Sequence, residues 1–162
     1  MTPHTDDNIP EEHTKFVNQL LPAIRKIISK EELIPVAIAK FSEGTIALPV
    51  DLSVYFKTRE SKQHVMKVIN YMLGMPDVWM VALVSEAWTA TVVDQKELDK
   101  GIPVKDMPGA RECASIIVYD TAGNCTSHSY LITEDRQGLE YHGSMSQAHS
   151  SGTLIRKDSK QN

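Results

Sequence analysis

Glu86 stands out among the residues that could do chemistry, because it interrupts an otherwise apolar, strand-like run, Val78-Trp79-Met80-Val81-Ala82-Leu83-Val84-Ser85-Glu86-Ala87-Trp88. Side chains alternate between the faces of an extended strand, so Glu86 shares a face with Met80, Ala82, Val84 and Trp88. A carboxylate among such neighbours must find a cation, reach water past the indole, or stay protonated, since burying an unpaired charge is strongly unfavourable. Arg111 and Glu112, which follow Pro108-Gly109-Ala110 and open a later strand, are the nearest chemical company. Arg111 could pair with Glu86 and keep it ionised. Alternatively Glu86, Trp88, Arg111 and Glu112 face a ligand, the carboxylate beside the indole serving as general acid or base and the arginine holding an anion. A connection centred near Gly101 would set residue 86 opposite the far end of the following strand, but a long loop does not fix register, so both roles stay open.

The remaining chemistry is thinner. Cys113 and His128 are the one pairing to test for a nucleophile, with Arg111 able to make the thiol's surroundings electropositive. Against it stands the ordinary role of a cysteine as a small buried hydrophobe. Glu140 and His142 come nearest to a metal site, yet no two histidines stand one helical turn apart with a carboxylate, so no metal is expected. The chain has no Walker sequence and no Gly-rich dinucleotide loop, and no cofactor is expected. Cys113 and Cys125 flank the turn Asp120-Thr121-Ala122-Gly123-Asn124 at unequal distances, too far apart in a hairpin to be bridged, and are expected as two thiols.

These residues need a scaffold, and the periodicity supplies one. Asn8, Pro10, Glu11 and Glu12 read as a helix start, followed by the stripe Phe16, Leu20, Leu21, Ile24, Ile27 and Ile28; Pro22 should kink that helix or shift its start. Residues 34–41 and 45–50 predict a hairpin around Ser42-Glu43-Gly44. Thr58 opens a second helix with Val65, Val68, Ile69, Met72 and Leu73 inward, ended by Gly74 and Pro76. The 78–88 strand is expected to run on to residue 93, residues 94–109 to form a polar connection and a candidate lid, and 111–119 and 125–133 to form a second hairpin. A short edge strand is expected at 139–142. The pattern predicts one α+β domain over residues 9–142, with an antiparallel or mixed sheet of five to six strands and two amphipathic helices on one of its faces. Residues 1–8 and the polar tail 143–162 are expected to be loose.

With those elements in place, Val84-Ser85-Glu86-Ala87-Trp88, preceded by a helix and followed after a loop by a Pro-x-x-Arg-Glu segment, resembles a loose group of small uncharacterised bacterial and phage-associated proteins over roughly residues 34–133. The resemblance implies a bacterial or phage origin and the same strand order, and it brings no activity with it.

A chain of 162 residues, 41% hydrophobic and 23% charged, is the size of one ordinary domain. Its net charge of -4 gives no cationic field to gather a polyanion, so nucleic acid is not an expected partner. No apolar run is long enough for a membrane span and the first residues lack a signal-peptide pattern, which together predict a cytoplasmic protein. Without a convergent catalytic set, the expected function is a non-catalytic interaction or assembly module. Its partner would be another copy or a host protein, with Trp79 and Trp88 as anchors if exposed. The alternative is a small-ligand binder or enzyme built on Glu86, Trp88 and Arg111.

Overall fold

The apolar stripe of the first segment and the unbroken apolar run at 78–84 together dictate the architecture, because the strand is hydrophobic on both sides and the helix on one. In the computed structural model, which describes residues 4–5, 8–89, 101, 103–107 and 109–146, the elements are β1 (His4–Thr5), α1 (Glu11–Ile28), β2 (Val36–Phe41), β3 (Ile46–Asp51), a 3-10 turn (Ser53–Phe56), α2 (Gln63–Leu73), β4 (Val78–Thr89), a second 3-10 turn (Val104–Asp106), β5 (Arg111–Asp120), β6 (Cys125–Ile132) and β7 (Leu139–Ser146). The strands form one seven-stranded sheet in the order β1-β7-β6-β5-β4-β2-β3. Every neighbouring pair is antiparallel except β1 with β7. The α+β class and the antiparallel sheet are as the pattern predicts.

The placement of the helices corrects the expectation that both lie on one face. Phe16, Val17, Leu20, Leu21, Ile24 and Ile28 of α1 pack with Met80, Ala82 and Val84 of β4 and with Ala114, Ile116 and Val118 of β5. Val65, Ile69 and Met72 of α2 pack instead with Val81 and Leu83, the alternate residues of β4. Neighbouring residues of a strand point to opposite faces, so the helices sit on opposite sides of the sheet. The physical reason is that a central strand apolar on both sides needs cover on both.

Other differences are local. α1 runs through Pro22 without a break, with Pro22 on its exposed side, and its N-cap position is Pro10. β7 extends to Ser146 and pairs at Gly143 and Ser144 with His4 and Thr5, so the sheet takes in residues expected to be loose on both flanks. A β-bulge interrupts the β6–β7 ladder between Ser129 and Tyr130, where His142 is the extra residue. The expected continuation of β4 to residue 93, most of the 94–109 connection and the tail beyond 146 lie outside the described residues.

Candidate functional site

Glu86 does find a cation, and it is not Arg111. β4 and β5 pair in register from Met80↔Asp120 to Thr89↔Arg111, which sets Glu86 opposite Ala114 and Trp88 opposite Glu112. Glu86, Trp88 and Glu112 therefore share the α1 face, while Arg111 belongs to the opposite one. There Arg111 lies 3.7 Å from Glu140 in an exposed ion pair. The four residues proposed as one ligand-facing set do not line one site, and a pocket using Glu86 with Arg111 is ruled out by register.

The cation is Arg136, in the turn between β6 and β7. Its backbone is left-handed, with φ 59, inside a turn closed by Thr133 and Gly138. One Nη donates to Glu86 Oε1 at 2.7 Å and the other to Glu112 Oε2 at 2.9 Å. Nε donates to the carbonyl of Ile28 at 2.8 Å, the last residue of α1, and the same Nη that binds Glu86 reaches the carbonyl of Glu31. Leu33 N–H adds a 3.1 Å bond to Glu86. One guanidinium thus ties the negative end of a helix, two strands and the segment between α1 and β2. Burial pushes Glu86 upward, but the hydrogen bonds from Arg136 and Leu33 outweigh it and hold the carboxyl below its usual range. Glu112 is pushed up instead, by burial and by the neighbouring Glu86. Glu86 is the more acidic of the two carboxyls in the clamp. Trp88, 46% exposed, lies at its margin.

Cys113 and His128 also fall on opposite faces: Cys113 pairs with Leu131, while His128 pairs with Ile116 of the α1 core. Burial raises the Cys113 thiol, the reverse of what a nucleophile needs. Cys125 lies at the far end of the ladder from Leu131, and both cysteines are buried free thiols.

Sequence reasoning passed over a second polar assembly, on the α1 face of β6. His13, in the first turn of α1 and fully buried, places Nε2 2.8 Å from Asp120 Oδ2 and Nδ1 2.7 Å from Thr126 Oγ1. Thr126 Oγ1 lies 2.8 Å from His128 Nε2, whose Nδ1 is 2.9 Å from Ser144 Oγ, and Tyr141 O–H donates to Ser144 Oγ at 2.9 Å. The chain Asp120–His13–Thr126–His128–Ser144–Tyr141 links one helix to three strands. The β7 bulge makes it possible: without the extra residue, Tyr141 and Ser144, three apart, would point to opposite faces. Burial, with His13 beside it, pushes His128 down to about 4. The hint in the sequence was Thr126 and His128 at strand spacing; the partner on α1 had no such mark. Among the described residues no buried side-chain polar atom lacks a hydrogen-bond partner.

No family model, curated protein or solved structure matches this chain, so the resemblance drawn on Val84–Trp88 gains no support from the comparisons.

Proposed function

We propose that this protein is a non-catalytic assembly module that self-associates through the half of the sheet's α2 face formed by β5, β6 and β7. The observation that carries the reading is a nearly neutral stretch of this face on which, among the described residues, neither helix packs. α2 packs on the β2–β4 side, and among the described residues neither helix lies over Ser115, Ser127, Ser129 and Met145. Ser115 pairs with Ser129, and Ser127 pairs with Met145, which puts hydroxyls and one large apolar side chain in adjacent rows. Met145 is 48% exposed. The charges bordering the face, Arg111 and Glu140, neutralise each other, so a second copy meets no like-charge repulsion there. A face that is nearly neutral and hydroxyl-lined suits a two-fold contact with itself.

Both ends of the sheet argue against strand addition as the mode. β3 carries Pro49, which has no ladder donor, next to Leu48 in a left-handed conformation (φ 57), and its pairing with β2 is irregular. β1 shields part of β7. The test is light scattering across protein concentration. The expected result is a mass that climbs from monomer to dimer, with Met145→Glu shifting the midpoint at least about tenfold, the factor that goes with about 1.4 kcal/mol. A monomer at every concentration, or a dimer indifferent to Met145→Glu, contradicts it.

A further inference from the structure

Around α2 and the 3-10 turn before it, the chain gathers positive charge. Residues 52–76 hold four cations, Lys57, Arg59, Lys62 and Lys67, and one acid, Glu60, a local +3 in a chain whose net charge is -4, so the remaining residues carry -7. All four cations are exposed. Among the described residues, none of the four lies within ion-pair distance of a carboxylate. The overall charge gives no cationic field, but a molecule divided this sharply has one locally.

The fold keeps these charges together. Val65, Ile69 and Met72 of α2 face its core, which leaves Lys67 and Tyr71, four residues apart, as neighbours on the outward side. The 3-10 turn Ser53–Phe56 is tied to the start of the helix. Ser61 Oγ reaches the Tyr55 carbonyl at 3.0 Å, the rings of Tyr55 and His64 are 5.7 Å apart, and Lys62 Nζ lies 5.6 Å from the ring of Phe56. Two apolar side chains stand out of this surface, Val54 at 57% exposure and Tyr71 at 75%.

Exposed cations beside exposed apolar groups fit a polyanion with an apolar part, and the aromatic rings decide which kind. Single-stranded nucleic acid needs successive rings on which its bases stack. Here Tyr55 is engaged with His64 and Phe56 with Lys62, which leaves Tyr71 as the one free ring of the three. An anionic bilayer asks for no such register. It takes cations in any arrangement and accepts a valine and a tyrosine at its interface. We infer that this surface docks on an anionic lipid bilayer, with Lys57, Arg59, Lys62 and Lys67 among the headgroups and Val54 and Tyr71 dipping into the interface. The negative remainder of the molecule is repelled by the same lipids, which turns the α2 side toward them. The inference does not rest on self-association, and a monomer carries it equally.

The test is co-sedimentation of the full chain with vesicles of phosphatidylcholine alone and of phosphatidylcholine mixed two to one with phosphatidylglycerol. The chain should sediment with the mixed vesicles at low salt, stay in solution with the neutral ones, and be released at about 0.5 M salt. Arg59→Gln with Lys67→Gln should weaken the binding at least about tenfold, since each cation near an anionic bilayer is worth about fivefold. Val54→Ser with Tyr71→Ser should weaken it at least about threefold and leave the salt dependence as it was. All four positions are exposed; should either pair disturb the fold, the lipid and salt arms decide in the wild type. No binding to the mixed vesicles at low salt, equal binding to both kinds, or a charge variant that binds like the wild type overturns the inference. Tighter binding to a labelled oligothymidylate than to the mixed vesicles also overturns it, by assigning the surface to nucleic acid.

Discussion

Two carboxylates reach for one guanidinium at Arg136, and their surroundings make Glu86 the more acidic of the two. The Glu86 side chain is 11% exposed and gains the Leu33 N–H as well; that of Glu112 is 35% exposed and has water as an alternative. That Glu86 needs a cation is legible from its place in an apolar run. The identity of the cation is not, because Arg136 lies in a polar turn, Thr133 to Gly138, that gives no hint of folding back beneath the end of α1. The buried histidine makes a prediction at this scale. His128 has a folded-state value of about 4 against an ordinary value of 6.5, so below pH 6.5 the unfolded chain takes up a proton that the folded one refuses. Stability should therefore fall as the pH drops from about 6.5 to about 4, by on the order of 1 kcal/mol per pH unit. Asp120 and Glu86, both held below their usual range, add further loss only as the pH falls through their folded-state values. Urea midpoints at pH 7, 6 and 5 check this. Equal midpoints would show that His128 is protonated in the fold or absent from the balance.

At the scale of elements, α1 and β4 show what pattern alone can and cannot settle. Of the stripe expected on α1, Phe16, Leu20, Leu21, Ile24 and Ile28 turn inward while Ile27 is exposed, and Pro22 does not break the helix, because the ring lies on the exposed side and the lost bond to Asn18 falls where water can replace it. Pro22→Ala should restore that bond and raise stability by about 1–2 kcal/mol, less than the intrinsic propensity difference because the proline also stiffens the unfolded chain. A lower urea midpoint in the variant would mean that the ring makes a contact the helix needs. β4 is legible as a strand, and its near-continuous apolar run implies cover on both faces, which the two helices supply from opposite sides. β7 is longer than its composition suggests, for the opposite reason. Gly143, Ser144 and Ser146 read as tail composition, yet pairing with β6, and with His4 and Thr5, makes them strand.

The whole molecule is a sheet with two separate cores, one under each helix, and the polar devices are gathered on the α1 side. There the clamp closes one end of the layer, joining Ile28 and Glu31 to β4, β5 and the β6–β7 turn. The relay from Asp120 to Tyr141 runs along the other end. This division leaves the β5–β7 half of the α2 face for contact with another copy, and Met145→Glu tests that use without touching the clamp or the relay. The β2–β3 and β5–β6 hairpins were legible from their turns; the β4–β5 register across a long connection and the turn that supplies Arg136 are tertiary facts. The claim beneath the functional reading is that the acid in the central strand serves architecture and not a ligand. A double-mutant cycle on Glu86→Gln and Arg136→Met measures it most directly. The account predicts that each single change costs about 3 kcal/mol, that the double change costs about 4 kcal/mol, and that the coupling is therefore about 2 kcal/mol. A Glu86→Gln variant as stable as the wild type, with no coupling to Arg136, would contradict it.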